Sequence, residues 1–210
     1  AYRSRELVDD VLALLDAAGL RRAHVVGHDW GAAVGWALAA WHPDRVRTLT
    51  ALSVPHPSAM AKALVSSDQA LRSYYMAVFQ LPLLPERLLL AGGGAALRRG
   101  LRHGGLPAEL ADHYVARMRE PGALTAALNW YRALPWSGRE PVGPVAVPSQ
   151  LVWGARDTFL GRTGVEHTER FCGGPYRLEV LAEHSHWLPE LAAQRVAELV
   201  VAQVRGARER

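Results

Sequence analysis

The sequence contains an aspartate where an enzyme could carry its nucleophile. Asp29 is the centre of the pentapeptide Gly27-His28-Asp29-Trp30-Gly31, which has the G-x-nucleophile-x-G pattern of a sharp strand-to-helix turn. Glycine at both ends suits this turn because a Cβ there would clash. A carboxylate at this point can attack an sp³ carbon and form an ester that water then hydrolyses. The alternative is that Asp29 only caps the helix that starts at Trp30.

Two further residues complete a candidate catalytic set. Asp157 follows an apolar run that ends at Trp153, and His186 follows another run that ends at Ala182. Residues that follow the C-terminal ends of parallel strands meet at one edge of the sheet, where such sheets bind ligands. The chain order nucleophile, acid, histidine is that of the α/β-hydrolases.

Alternating strands and helices are predicted to position these residues. Short apolar runs predict strands at 23–26, 46–54, 149–153 and 177–182, and the first of these has the pattern of a buried strand. Helical periodicity predicts helices at 7–15, 30–41, 165–171 and 189–204. This alternation predicts an α/β fold, with a mostly parallel sheet and helices on both faces.

The middle of the chain has a different pattern. Residues 57–140 contain helical patterns and Gly/Pro breaks but no strand signal. We therefore expect a helical cap at 57–140, inserted into a core made of residues 1–56 and 141–210.

Composition excludes several classes of protein. Of the 210 residues, 50% are hydrophobic and 21% are charged, as in globular domains. Neither an apolar run of about 18 residues nor a signal-peptide pattern is present, which predicts no membrane partner. The single cysteine, Cys172, excludes an internal disulfide and favours the cytoplasm.

Charge and ligand patterns favour neither nucleic acid nor metal. The net charge is +4, but the basic residues are scattered, and the densest cluster (Arg98, Arg99 and Arg102) lacks interleaved aromatics. His184 and His186 form an H-x-H pair without a third ligand at a recognisable spacing. We expect no nucleic-acid partner, no metal and no cofactor.

With these residues in place, the chain resembles the α/β-hydrolases of the epoxide hydrolase and haloalkane dehalogenase group, and the epoxide hydrolases most. Segments 25–32 (VVGHDWGA) and 42–46 (HPDRV) are similar to the group's nucleophile turn and to the segment after its helix. Within the expected cap, 75–82 (YMAVFQLP) and 128–132 (LNWYR) are similar to segments specific to epoxide hydrolases.

The resemblance implies roles for individual residues. It implies that Asp29 is the nucleophile, that Asp157 orients His186, and that Tyr75 and Tyr131 donate hydrogen bonds to the epoxide oxygen. The remaining residues expected in the oxyanion or substrate site are Trp30, through its backbone N–H, and His28, Phe79 and Trp130.

The expected reaction opens a small apolar epoxide with water to a vicinal diol, through a hydroxyalkyl ester on Asp29. One alternative is a haloalkane or haloacid dehalogenase with the same nucleophile, which would leave Tyr75 and Tyr131 without a role. A second alternative is an inactive fragment or a non-enzymatic relative that binds apolar ligands.

The resemblance fails at the start of the chain. The family core has N-terminal strands and a His-Gly-x-Pro oxyanion loop that this sequence does not match, so we expect the chain to lack that part of the core. Residues 103–107 (HGGLP) are instead expected to form a glycine-rich turn. Ser185 stands where the family has glycine, and Glu190 lies one position earlier than the usual acid.

Overall fold

Four parallel strands form the sheet that carries the site. The computed structural model describes residues 1–137 and 141–208, and its strands are β1 (Ala23–His28), β2 (Val46–Leu52), β3 (Ser149–Gly154) and β4 (Tyr176–Leu181). They lie side by side in chain order. The predicted parallel sheet is confirmed, although β2 ends at Leu52 instead of Val54. Ser53 adopts a left-handed φ of 70°, which ends the extended conformation.

Two N-terminal helices pack on one face of the sheet. Helix α1 spans Ser4–Ala17, and helix α2 spans Trp30–Trp41, followed by a 3₁₀ turn at Pro43–Arg45. Because α2 is rich in alanine and apolar nearly all round, it is buried along most of its length. Its Trp36 and Leu38 share one apolar cluster with Leu49 of β2 and Leu151 of β3.

The chain between β2 and β3 is helical. Its helices are α3 (Pro57–Ser66), α4 (Gln69–Arg72), α5 (Tyr74–Val78), α6 (Leu84–His103), α7 (Ala108–Met118), α8 (Ala123–Arg132) and α9 (Leu134–Ser137). No strand occurs between residues 57 and 137, as predicted. The expected boundary at 140 falls in 138–140, and the end of the expected core falls in 209–210; both lie outside the described residues.

Glycines kink α6 in its middle. Gly92, Gly93 and Gly94 have φ values of 56°, 69° and 88°, a region that favours glycine. A Cβ on Gly94 would lie 2.5 Å from Cγ1 of Val115 in α7. The kink therefore lets α6 and α7 approach closely.

The C-terminal helices cover the other face of the sheet. After α10 (Arg162–His167) and a 3₁₀ turn at Thr168–Phe171, the chain ends in α11 (Leu188–Leu191) and α12 (Ala193–Arg208). The single helix predicted for 189–204 is thus wrong, since Ala192 breaks it with φ −134° and ψ 27°. The break allows Leu188 and Leu199 to pack into one cluster with Leu52 and Val152.

Strand β1 differs from its predicted burial. It pairs with β2 on one side and is the outermost strand of the sheet that the structure describes. Val25 packs against the α2 cluster, but Val26 points to the opposite face and is 47% exposed. The prediction of a fully buried strand is therefore wrong for Val26, because α12 covers β2 rather than β1.

Candidate active site

The turn between β1 and α2 presents Asp29. Its backbone has φ 51° and ψ −123°, an unusual conformation for a non-glycine residue that costs about 1–3 kcal/mol. A Cβ on Gly27 would lie 2.3 Å from the Gly31 oxygen, so only glycine fits there. A Cβ on Gly31 would meet no described atom within 4 Å. The expected need for glycine is thus confirmed at Gly27, whereas the structure gives no such reason at Gly31.

The carboxylate of Asp29 faces a histidine instead of capping its helix. The side chain makes no capping hydrogen bond to α2. Its Oδ1 lies 3.5 Å from Nε2 of His186, and 43% of the side chain is exposed. The geometry therefore argues against the capping alternative, and the exposed fraction leaves the carboxylate open to a reactant.

His186 is held on its other side by Asp157. Nδ1 of His186 donates to Oδ2 of Asp157 at 2.9 Å, and both side chains are buried. Oδ1 of Asp157 accepts the backbone N–H groups of Phe159 at 2.7 Å and Leu160 at 3.0 Å. With these bonds, Asp157 fixes the orientation of the imidazole and leaves Nε2 directed at Asp29.

The two carboxylates control the charge on His186. Burial acts against the imidazolium, but the hydrogen bonds and charges of Asp157 and Asp29 outweigh it and raise the pKa of His186 to about 10. Burial acts to raise the pKa of Asp29, yet the hydrogen bond and charge of His186 lower it overall. Asp29 is therefore ionised at neutral pH, as a nucleophile must be.

The backbone of the histidine loop is also anchored. The carbonyl oxygen of His186 accepts Oγ–H of Ser53 at 2.7 Å and an N–H from Nε2 of His28 at 2.9 Å. Burial lowers the pKa of His28, and the charge of His186 adds to this effect. His28 was predicted to lie in the oxyanion or substrate site; the structure places it beside His186, where its Nε2 holds the loop. Sequence reasoning missed Ser53, because the predicted strand at 46–54 included it, whereas the strand ends at Leu52.

Two tyrosines approach the site from the helical segment. Tyr75 of α5 and Tyr131 of α8 have ring centroids 5.9 Å apart. Burial raises the pKa of both hydroxyl groups, and the negative charge of Asp29 acts in the same direction. Both groups therefore keep their protons and can donate hydrogen bonds. The neighbouring Tyr74 is 70% exposed, so the choice of Tyr75 is supported.

Aromatic rings line the space between the tyrosines and the sheet. Phe79 lies 5.5 Å from Tyr75 and 5.0 Å from Tyr131, measured between ring centroids. Trp30 lies 5.1 Å from Tyr131 and 5.7 Å from Trp130. The predicted residues Phe79, Trp30 and Trp130 are thus brought together as apolar walls.

Phe159 is a further site residue that sequence reasoning missed. Its ring lies 6.0 Å from Tyr75 and 5.3 Å from His186. The one sequence signal was its position two residues after Asp157. Its ring therefore contacts both Tyr75 of the helical segment and His186, which follows β4.

The two departures from the family pattern have structural positions. Glu190 accepts the hydroxyl hydrogen of Tyr114 in α7 at 2.5 Å. Ser185 is buried against the predicted turn after α6, where a Cβ on Gly105 would lie 2.6 Å from the Ser185 Oγ. Gly105 has φ 95°, which confirms a glycine-dependent turn. Neither departure displaces His186 from Asp157.

The remaining candidates do not form sites. Burial raises the pKa of the Cys172 thiol to about 12, which disfavours the reactive thiolate. Within residues 1–137 and 141–208, no group of three or more His, Cys, Asp or Glu side chains is arranged so that it could hold a metal ion, and both ring nitrogens of His186 face carboxylates. No helix in the same ranges has the length and apolar character needed to cross a bilayer.

The chain is similar to known hydrolases over most of its length. A model of the alpha/beta hydrolase fold family matches residues 1–193. The AB hydrolase superfamily protein YfhM of Bacillus subtilis is 37% identical over an alignment of 207 positions, which covers 96% of this chain and 72% of that protein. Epoxide hydrolase 3 of Xenopus tropicalis is 35% identical over 95% of this chain, but the match spans only 57% of that protein.

Solved structures show the same similarity. Epoxide hydrolase A from Mycobacterium thermoresistibile is 27% identical with a TM-score of 0.77, covering 98% of this chain and 76% of that one. An epoxide hydrolase from Bacillus megaterium is 25% identical with a TM-score of 0.82, covering 97% and 76%.

Proposed function

The chain belongs to the alpha/beta hydrolase fold family, and on that premise we propose that it is an epoxide hydrolase whose nucleophile is Asp29. One observation carries the proposal: the ionised carboxylate of Asp29 lies 3.5 Å from Nε2 of His186, at a site that also receives two protonated tyrosines from the helical segment. The epoxide hydrolases among its relatives support the same reaction.

The first step forms an ester. The carboxylate oxygen of Asp29 attacks an epoxide carbon, the carbon–oxygen bond of the ring breaks, and the ring oxygen takes a proton from Tyr75 or Tyr131. The raised pKa of each tyrosine keeps that proton available until negative charge develops on the ring oxygen.

The second step hydrolyses the ester. Forming the ester removes the charge of Asp29, which helps to raise the pKa of His186. The imidazolium therefore gives up its proton, which restores the tyrosine, and the neutral imidazole can accept a proton from water. The hydroxide attacks the ester carbonyl while the backbone N–H of Trp30 stabilises the oxyanion. One proton of the water returns His186 to its charged form and the other ends on the departing diol.

The helical segment supplies substrate recognition. Residues 57–140 act as a cap over a core of residues 1–56 and 141–210, and the cap brings Tyr75, Tyr131, Phe79 and Trp130. Walls made of aromatic rings favour a small apolar epoxide, which reacts with water.

The two steps can be separated with His186→Gln. The first step needs Asp29 and the tyrosines but no base, so the ester should accumulate in this variant. Intact-protein mass spectrometry after mixing with styrene oxide should detect one added substrate mass per chain, located on Asp29. His184→Gln, two residues away, is the matched control and should not accumulate the adduct. An unmodified His186→Gln chain, from a preparation whose wild type turns over styrene oxide, would contradict the two-step scheme.

A further inference from the structure

Gln69 is a buried polar residue to which the proposed mechanism gives no role. It is the first residue of α4, six positions before Tyr75, and it is only 1% exposed. Burying an amide is unfavourable unless its hydrogen-bonding groups are satisfied. Its partners therefore indicate why it lies there.

The side chain of Gln69 bonds to both its own segment and the loop after β3. Its Oε1 accepts the backbone N–H of Gly161 at 2.8 Å, and its Nε2 donates to the carbonyl of Phe159 at 2.7 Å. Nε2 also donates to Oγ of Ser73 at 3.0 Å. The loop contacts join residues about ninety positions apart in the sequence.

The loop that Gln69 binds is the one that holds the catalytic acid. The N–H of Phe159 donates to Asp157, the carbonyl of Phe159 accepts from Gln69, and the ring of Phe159 contacts both His186 and Tyr75. On the other side, Ser73 immediately precedes α5, the helix that carries Tyr75.

We propose that Gln69 is a positioning residue that sets the location of Tyr75 relative to the Asp157–His186 pair. Its amide bonds link the short helix before Tyr75 to the acid loop, so the proton donor and the charged pair keep a fixed separation. This role deepens the proposed function and rests on it.

Removing the amide should affect the two steps unequally. In Gln69→Leu, the Phe159 carbonyl and the Gly161 N–H lose their partners, and only the longer bonds from Arg72 to the carbonyls of Asp157 and Thr158, at 3.4 and 3.5 Å, still join the short helix before Tyr75 to the loop. Asp157 keeps its own bonds to Phe159 and Leu160. Ester formation, which needs Tyr75, should therefore slow by roughly 10- to 100-fold, the cost of a small misplacement of a reacting group. Ester hydrolysis, which needs His186, should change little.

Single-turnover kinetics with styrene oxide measure the two rates separately. Gln69→Glu keeps the shape and the oxygen that Gly161 needs but, when ionised, lacks the N–H donors, so it should also slow ester formation selectively. Gln194→Leu, the same change at an exposed glutamine of α12, should leave both rates unchanged. Hydrogen exchange of the Gly161 amide should be faster in Gln69→Leu than in the wild type.

The outcomes separate this inference from the proposed function. Wild-type rates for both steps in both Gln69 variants, or equal slowing of both steps, would overturn the positioning role alone. Failure of the wild type to open styrene oxide would overturn the proposed function and this role with it. In that case, unchanged exchange at Gly161 in Gln69→Leu would also remove the structural contact on which the inference depends.

Discussion

Asp29, Asp157 and His186 come from the ends of three strands, whereas Tyr75 and Tyr131 come from helices between β2 and β3. Neighbouring parallel strands are held about 4.8 Å apart by their backbone hydrogen bonds, so backbone pairing fixes the strand ends that these three residues follow. The tyrosines have no such frame. Their helices are joined by side-chain bonds, among them those from Gln80 to the Tyr131 carbonyl and from Arg132 to the carbonyls of Phe79 and Leu81.

Because of this difference, substitutions in the two regions should affect the reaction in different ways. A substitution at a strand end should remove chemistry while leaving the frame intact, because the frame is backbone. A substitution among the helices should shift a group that is itself unchanged. The sheet side depends on the charges of Asp29, Asp157 and His186, while the helices that carry the tyrosines are joined by side-chain hydrogen bonds and by ion pairs such as Arg132–Glu86.

The largest effect is expected at the sheet side. Asp29→Asn should abolish epoxide turnover, because an amide cannot attack carbon at a useful rate. Asp44→Asn, the same change at an exposed aspartate of the following 3₁₀ turn, should keep wild-type activity. Turnover is measured on purified protein after mass spectrometry has excluded deamidation. An active Asp29→Asn chain would show that the Asp29 carboxylate is not the nucleophile.

A smaller but still large effect is expected from the two tyrosines. The Tyr75→Phe/Tyr131→Phe double variant should lose about 10²- to 10⁴-fold in epoxide turnover, the usual contribution of a positioned proton donor. Tyr74→Phe, at the exposed neighbour, is the control. Haloalkane turnover distinguishes the dehalogenase alternative, because a departing halide needs no proton. Unchanged epoxide turnover together with haloalkane activity would favour that alternative.

The pH dependence of the free energy of unfolding should differ between variants of His186 and variants of the two tyrosines. The pKa of His186 is raised from 6.5 to about 10 on folding, so its charge stabilises the fold fully below about pH 6.5, and this stabilisation is lost as the pH rises towards 10. Chemical denaturation across this range should show a steeper decline for the wild type than for His186→Gln. The tyrosine double variant should follow the wild-type slope below about pH 9, since its missing hydroxyls are neutral there. Identical slopes for His186→Gln and the wild type would contradict the charged state of the site.

The smallest effect concerns the helical frame. Arg132 makes a two-bond ion pair with Glu86 at 2.7 and 2.9 Å. Arg132→Met should lower the free energy of unfolding by about 1–3 kcal/mol, since these charged bonds are partly shielded from water. Arg117→Met, which breaks an exposed pair with Glu120, should cost less than about 1 kcal/mol. Equal losses for the two arginines would show that the Arg132 bonds do not hold the frame.

The sequence was most informative where backbone geometry fixes position. Asp157 and His186 could be assigned because they follow apolar runs that form neighbouring strands, and Gly27 because its turn excludes a side chain. The parallel sheet followed from the same alternation of runs. These features depend on residues close together in the sequence or on strand pairing, both of which leave a periodic signal.

The rest depends on contacts between distant segments. Gln69 lies ninety or more residues from the loop atoms that it binds, and Ser53 is 133 residues from the carbonyl that it holds. No local pattern distinguishes either residue from an ordinary polar residue. Val26 was misjudged for a related reason: its apolar side chain predicts burial, but burial depends on which helix covers that part of the sheet.

The anchored carbonyl of His186 has a consequence for motion. The carbonyl oxygen of His186 accepts from three donors, since the backbone N–H of Leu188 bonds to it at 2.9 Å in addition to Ser53 and His28. The peptide group after His186 therefore cannot flip unless three hydrogen bonds break together. Ser53 and His28 thus hold the backbone of the His186 loop in place. A substitution at either residue would make the orientation of the imidazole less precise without altering its chemistry.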